Sequence, residues 1–228
     1  MTQLTGWQAV VDILKAEGVK YLFGIPTSAA DLYDALYDVP EIQPILVRHE
    51  GAGLALAMGY ALAANQPAVC FAGSGPGVAN LAPVMLEALA TCAPVIALAS
   101  ATSGQIEGMG AFQETDQIGM MKPLTKWAAH VPHAEKIPWV MRRAFSLASG
   151  GQPGPIFVEL PKEVGRQAYD IPEYILFLLR NIHAVALMGL RIPMRATQIS
   201  IRMTAHKSIG NAVLANAVNN EPQIFLDG

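Results

Sequence analysis

Short apolar runs alternate with helix-length segments up to residue 160, and this alternation most narrows the folds open to the chain. The runs are nearly free of polar residues and lie at residues 19–23, 45–47, 68–72, 94–99 and 155–160. Strands of this kind bury both faces, which requires a parallel sheet covered by helices on each side. The sequence therefore predicts an α/β fold, with a doubly wound, mostly parallel sheet and helices on both faces.

Helix signals fill the intervals between the apolar runs. Thr5 is a good N-cap for a helix that carries apolar residues at helical spacing and stops at Gly18. Further helices are predicted at residues 29–37, 50–64, 78–90 and 134–148, and a loop is predicted from Ser100 onward. The helix and strand signals thus alternate as they do in repeated βα units.

The charge distribution predicts a boundary near residue 170. Residues 1–173 hold 10 Lys and Arg against 16 Asp and Glu, whereas residues 174–228 hold 5 against 2. We therefore expect a domain at residues 1–170, a linker or aberrant segment at 171–207, and the start of a truncated further domain at 208–228. The acid-free stretch after Glu173 is explained equally by a frame-shifted stretch, a fragment or a divergent linker.

The composition excludes several classes of protein. The chain is 52% hydrophobic and 14% charged, with a net charge of −3, which is typical neither of disorder nor of a nucleic-acid binder. The N-terminus shows no signal peptide, so we expect a cytoplasmic protein without a membrane partner. The cysteines Cys70 and Cys92 both lie in apolar runs and are expected to be reduced and buried.

A glycine-rich turn follows the apolar run at 68–72. Its residues 73–77 read GSGPG, and such a turn either brings backbone amides to a phosphate or packs a helix tightly on a strand. A dinucleotide fingerprint would have glycine at Val78 and an acidic residue about 20 positions later, near Ser100. A Rossmann-type module is therefore disfavoured, and the choice between ligand and tight packing stays open.

Glu50 is the candidate acid at the start of the apolar helix 50–64. Its neighbours Leu46 and Val47 predict partial desolvation, which makes a carboxyl group a better proton partner for a weak base. The alternative is a carboxylate that stabilises the helix start and pairs with Arg48. His130 and His133 are separated by Pro132, which interrupts a helix, so a solvated loop is predicted there and no metal site.

The order of six blocks identifies a family. The chain from about Gly6 to Val164 resembles the N-terminal, pyrimidine-binding domain of the thiamine-diphosphate enzymes of the acetolactate synthase and benzoylformate decarboxylase kind. The resembling blocks are residues 18–26 (GVKYLFGIP), 47–61 (VRHEGAGLALAMGYA), 74–80 (SGPGVAN), 111–116 (AFQETD), 123–126 (PLTK) and 151–158 (GQPGPIFV). The resemblance implies the thiamine-diphosphate-binding fold.

The resemblance also implies site residues. The family's matching glutamate, here Glu50, hydrogen-bonds a ring nitrogen of the cofactor's aminopyrimidine and so promotes loss of the proton from the cofactor's reactive carbon. Two residues, Glu50 and Gln113, match catalytic positions. Cofactor contacts are implied for Glu50, Pro26, Pro76 and Asn80, and substrate contacts are implied for Ser28, Phe112 and Gln113.

The function implied is decarboxylation or acyl transfer on 2-oxo acids, with the Gln113 block favouring the acetolactate synthase side. Family members bind Mg²⁺ and the cofactor's diphosphate through a Gly-Asp-Gly motif in another domain, and no such motif occurs here. We therefore expect this chain to supply the pyrimidine half-site, to join a homo-oligomer or a diphosphate-binding partner subunit, and to be inactive alone. The alternative is a truncated, non-catalytic remnant.

The sequence departs from the family in two of the resembling regions, the turn after the first strand and the glycine-rich turn. Thr27 and Ser28 stand where acetolactate synthases usually have two glycines, and Gly73 stands where benzoylformate decarboxylases have a histidine. These departures leave the choice of 2-oxo acid open.

Overall fold

A computed structural model describes residues 2–26 and 30–171 of the chain. The described residues belong to one compact unit. The strands are β1 (Thr2–Thr5), β2 (Tyr21–Gly24), β3 (Gln43–Leu46), β4 (Ala68–Ala72), β5 (Val95–Ala101), β6 (Trp127–His130), β7 (Ile156–Pro161) and β8 (Ala168–Ile171). The α-helices are α1 (Gly6–Ala16), α2 (Ala30–Tyr37), α3 (Glu50–Ala64), α4 (Pro76–Ala79), α5 (Ala82–Ala90), α6 (Gln117–Met121), α7 (Ile137–Ser149) and α8 (Lys162–Arg166).

The six central strands form one sheet in the order β3-β2-β4-β5-β7-β6, and all of its strand pairs are parallel, the arrangement that the apolar runs predict. A separate antiparallel pair joins β1 to β8. Alternate residues of β4 belong to different apolar cores: Val69 and Phe71 pack in one, and Cys70 and Ala72 pack in the other. Both faces of the sheet are therefore covered, which confirms the doubly wound architecture.

The first helix begins and ends where the sequence indicates. The Thr5 hydroxyl accepts a hydrogen bond from the Gln8 backbone N–H at 3.2 Å, and the Gln8 side chain accepts one from the Thr5 N–H at 2.9 Å. This reciprocal capping satisfies two backbone donors that the helix itself leaves unpaired. Gly18 follows the helix with a φ of +73°, a conformation in which glycine avoids steric strain.

The prediction of a buried strand at residues 45–47 is wrong. The strand β3 runs from Gln43 to Leu46 at one edge of the sheet, and Leu46 is 72% exposed. A short apolar run has the same appearance in a central strand and in an edge strand, because periodicity alone does not report which neighbours a strand acquires. Leu46 therefore does not shield Glu50 in the way that the sequence suggested.

Two further differences from the predicted elements concern the helix at residues 78–90 and the strand β6. The predicted helix 78–90 is two helices, α4 and α5, and α5 starts with Pro83 in its first turn, where the missing N–H of proline is tolerated. The strand β6 was not predicted, because its sequence WAAH is short and lacks β-branched residues. The element expectations beyond residue 171 lie outside the described residues.

The prediction that both cysteines are buried is confirmed for Cys70 and wrong for Cys92. Cys70 is fully buried, and burial raises the pKa of its thiol, whereas Cys92 is only half-buried; both are free. Within the part of the chain that the structure describes, no helix combines the length and hydropathy needed to cross a bilayer.

Candidate functional site

A cleft of about 410 Å³ opens beside the ends of β4 and β7. Ligands of parallel α/β sheets bind at the carboxyl ends of the strands, and the cleft follows that rule. Its lining comes from the start of α3, the turn after β4, the loop before α6 and the start of α8. The lining residues are Glu50, Gly73, Ser74, Pro76, Gly77, Asn80, Phe112, Gln113 and Lys162.

The carboxylate in this cleft is held by an amide. Asn80, at the end of α4, donates a hydrogen bond from Nδ2 to Oε2 of Glu50 at 2.9 Å. The other oxygen, Oε1, lies close to Gly77: a Cβ built on that glycine would sit 3.2 Å from it. The carboxylate is half-buried at the first residue of α3, where a negative charge is favoured by the helix dipole.

The start of α3 is packed closely against the end of α4. A Cβ on Gly51 would lie 2.8 Å from the carbonyl oxygen of Asn80, so any larger residue would push the two helices apart. His49 caps α3, because its Nδ1 accepts the Gly51 backbone N–H at 3.1 Å. In the local sequence HEG, His49 thus caps the helix, Glu50 is the acid, and Gly51 allows α3 to pack closely against the end of α4.

The glycine-rich turn is tightly packed, as one of its two interpretations requires, and its role in binding a ligand stays a prediction. Gly75 has a φ of +61°, and a Cβ on it would lie 2.4 Å from the backbone oxygen of Gln113, so only glycine fits. The turn therefore packs tightly against the loop before α6. At the same time Gly73, Ser74 and Gly77 line the cleft.

The loop before α6 brings two further predicted residues to the cleft. Phe112 is 86% exposed, and Gln113 adopts a φ of +63°, which is unusual for a residue other than glycine. The Glu114 carboxylate accepts the backbone N–H groups of Gly108 and Ala111, the latter at 2.8 Å. These hydrogen bonds lower the pKa of Glu114, and the bond from Gly108 has the largest effect. They also order the loop.

The cleft therefore brings together five of the seven residues that the resemblance singled out: Glu50, Pro76, Asn80, Phe112 and Gln113. Pro26 is exposed at the end of β2 and, among the residues that the structure describes, does not line the cleft. Ser28 lies outside the described residues, so its role stays a prediction.

Sequence reasoning missed Lys162 at this cleft. It is exposed and follows β7 directly, at the carboxyl end of a strand. The rule that pointed to the other cleft residues could have found it as well. Its ammonium group adds a positive charge to a cleft that otherwise holds one carboxylate.

The prediction that His130 lies in a solvated loop is wrong. His130 ends β6, its side chain is 38% exposed, and Nδ1 donates to Oε1 of Glu159 at 2.8 Å. Glu159 is 6% exposed, and its hydrogen bond raises the pKa of His130. The two residues are far apart in sequence and are paired by the β6–β7 register, which no local pattern encodes. Within residues 2–26 and 30–171 no three His, Cys, Asp or Glu side chains are grouped as metal ligands.

Comparison with known proteins finds a family match. The family model described as thiamine pyrophosphate enzyme, N-terminal TPP binding domain, matches residues 4–120. A probable acetolactate synthase large subunit from Methanocaldococcus jannaschii is 41% identical over 172 residues, which cover 75% of this chain and 29% of that protein. The acetolactate synthase isozyme 1 large subunit of Escherichia coli is 39% identical over 171 residues, or 74% of this chain and 30% of that protein. The chain thus spans under a third of the length of these relatives.

Proposed function

The chain belongs to the thiamine pyrophosphate enzymes and carries their N-terminal cofactor-binding domain, and from that premise we propose that it supplies the aminopyrimidine half of the active site of an acetolactate synthase-like enzyme. That enzyme would decarboxylate a 2-oxo acid or transfer the resulting acyl group. The observation that carries the proposal is the Glu50 carboxylate held by Asn80 in the cleft. Because the chain belongs to this family, the alternative of a Rossmann-type nucleotide-binding module is no longer needed.

Glu50 has the chemistry needed to share a proton with a weakly basic ring nitrogen. Such sharing requires a carboxylate that is fixed in position and partly removed from water. Asn80 fixes one oxygen, and Gly77, which has no side chain, lies close to the other. When bound, thiamine diphosphate supplies the reactive carbon and the electron sink of the reaction.

The remaining cleft residues divide between the cofactor and the substrate. Pro76 and Asn80 would contact the aminopyrimidine; the resemblance implies the same for Pro26, which does not line the cleft. Phe112 and Gln113, on the loop before α6, would face the substrate, and Ser28 would join them. Lys162 provides an ammonium group for the carboxylate that every 2-oxo acid carries.

The diphosphate and Mg²⁺ would be bound by a different domain. We propose that this domain reaches the cleft from a second copy of the intact enzyme, with a separate diphosphate-binding subunit as the alternative. The support is α3, which carries no charged residue after Glu50 and presents an exposed stripe of small and apolar side chains: Ala52, Ala55, Leu56, Gly59, Leu62 and Ala63. A helix that is apolar all round is normally buried. Because Glu50 starts this same helix, a copy that covers the stripe also approaches the cleft.

Binding of the isolated aminopyrimidine moiety tests the half-site without the missing domains. Titration of the 228-residue chain with 4-amino-5-hydroxymethyl-2-methylpyrimidine should shift the amide resonances of Gly77 and Asn80. Glu50→Gln should weaken binding by about tenfold or more, because a hydrogen bond to a charged group contributes about 1.5–3 kcal/mol. Glu87→Gln is the matched control, since Glu87 is exposed on α5.

Two outcomes would reject the proposal. Absence of binding to the wild-type chain would favour the non-catalytic remnant. Equal affinity in wild type and Glu50→Gln would remove Glu50 from its role. With thiamine diphosphate, Mg²⁺ and pyruvate added, we expect no turnover from this chain alone.

A further inference from the structure

The buried side-chain amide of Gln117 links the glycine-rich turn to Glu159 on β7. Gln117, the first residue of α6, accepts the Gly75 backbone N–H at Oε1 over 2.7 Å. Its Nε2 donates to Oε2 of Glu159 at 2.6 Å and to the backbone oxygen of Ser100 at 3.2 Å. Because oxygen and nitrogen are both engaged, the amide is held in one orientation. Gln117 is 3% exposed, so water competes little for these bonds.

The far end of this chain of hydrogen bonds reaches a titrating group. Glu159 accepts from Gln117 with one oxygen and from His130 Nδ1 with the other, at 2.8 Å. The negative charges of Glu107 and Glu163 add to the larger effect of Glu159 and favour the protonated form of His130. A buried carboxylate needs a charged or hydrogen-bonding partner, and here it has His130 on one side and an amide on the other.

The near end of the chain of hydrogen bonds is sterically confined. Gly75 lies against the Gln113 backbone so closely that a Cβ has no room. The residues that follow it, Pro76 and Gly77, line the cleft beside Glu50. A change in the Gly75–Gln117 hydrogen bond therefore acts directly on the wall of the candidate site.

We propose that Gln117 is a positioning residue that transmits the charge state of the His130–Glu159 pair to Gly75, so that the placement of the turn beside Glu50 depends on pH. Any effect of this placement on catalysis at Glu50 rests on the proposed function, whereas the coupling between His130 and Gly75 does not.

The direction of the coupling follows from polarisation along the chain of hydrogen bonds. While His130 is protonated, it balances the charge of Glu159. When the ring loses its proton, Glu159 draws more strongly on the N–H of Gln117, which makes the Gln117 oxygen a better acceptor for the Gly75 N–H. The Gly75 hydrogen bond is therefore stronger at high pH than at low pH.

Heteronuclear NMR of the 228-residue chain without cofactor tests the coupling. In wild type, the Gly75 amide proton should move downfield as the pH rises, with the same midpoint as the His130 ring. In Gln117→Met, the ring should still titrate and the Gly75 response should be lost. His133→Gln is the matched control, because His133 is exposed nearby, and it should leave the Gly75 titration unchanged.

His130→Gln provides a second test if the buried Gln117 variant does not fold. Since His130 is partly exposed, this variant should fold and should lose the Gly75 titration. A Gly75 amide that does not follow His130 in wild type, or that still titrates unchanged in either variant, would overturn the proposal. The measurement involves no cofactor, so a failure to bind aminopyrimidine would reject the proposed function and leave the coupling standing.

Discussion

Asn80 and Glu50 are joined by a 2.9 Å hydrogen bond although 30 positions separate them, and that bond orients the acid of the candidate site. It depends on the close approach of α3 and α4, which Gly51 and Gly77 allow. The site is thus built from a carboxylate at the start of one helix and an amide at the end of another.

Replacing this amide should weaken binding of the aminopyrimidine. We expect Asn80→Ala to lower the affinity by about tenfold, because Glu50 loses the donor that orients it. Calorimetric titration of the chain with the aminopyrimidine measures the change. Asn65→Gly, at the other end of α3 and already in a left-handed conformation, should bind like wild type. An Asn80→Ala chain of wild-type affinity would contradict the role given to Asn80.

Two glycine substitutions should change stability in opposite directions. A Cβ on Gly165 would lie 2.3 Å from Nε1 of Trp7, which is 2% exposed, so Gly165→Ala should destabilise the fold by about 1–3 kcal/mol. Gly59 in α3 has nothing within 4 Å of its Cβ position, so Gly59→Ala should stabilise by up to about 1 kcal/mol. Urea unfolding of both variants checks the signs, and an unchanged free energy for Gly165→Ala would show that Trp7 can move aside.

The His130–Glu159 pair should make stability depend on pH. Because the folded state raises the pKa of His130, its contribution is fully present below the ordinary value of 6.5 and is lost as the pH rises through the raised value. The stability advantage of wild type over His130→Gln should therefore be larger in mildly acidic than in alkaline buffer. Thermal unfolding across this range measures it, and a difference that does not vary with pH would show that the fold does not raise the pKa of His130.

Lys126 should stabilise the end of α7. Its Nζ donates to the backbone oxygens of Leu147 at 2.5 Å, Gly150 at 2.9 Å and Gln152 at 2.5 Å. A cation near a helix C-terminus is favourable, and hydrogen bonds to a charged group are strong, so Lys126→Met should cost about 1–2 kcal/mol. Lys20→Met, at another exposed lysine, is the control in the same unfolding assay. Equal losses in both variants would argue against a specific capping role.

The exposed stripe of α3 should control assembly. If a second copy covers the stripe, Leu56→Glu should convert an oligomer into a monomer, because a buried unpaired charge is costly. Sedimentation velocity of the 228-residue chain measures the change. Leu46→Glu is the control, since Leu46 is exposed on β3 rather than on α3. An unaltered oligomer in Leu56→Glu would place the interface elsewhere.

The local elements follow from the sequence to a large extent. The capped helix from Gly6, the strands β2, β4, β5 and β7 and the parallel class all follow from apolar spacing and from capping residues such as Thr5. These features depend on interactions between residues close along the chain. The resemblance to a family then singled out Glu50 and Asn80, and the structure brings them together.

Other features were decided only by tertiary structure. The edge position of β3, the strand β6 and the pairing of His130 with Glu159 all involve residues distant in sequence. A short apolar run or a lone histidine has the same local pattern whether it ends up buried or exposed. Its surroundings are set by the order in which strands join the sheet, because that order decides which distant side chains share a buried space. The sequence by itself therefore determined most of the elements, the class of fold and the family, and the packing of the sheet decided which polar groups meet.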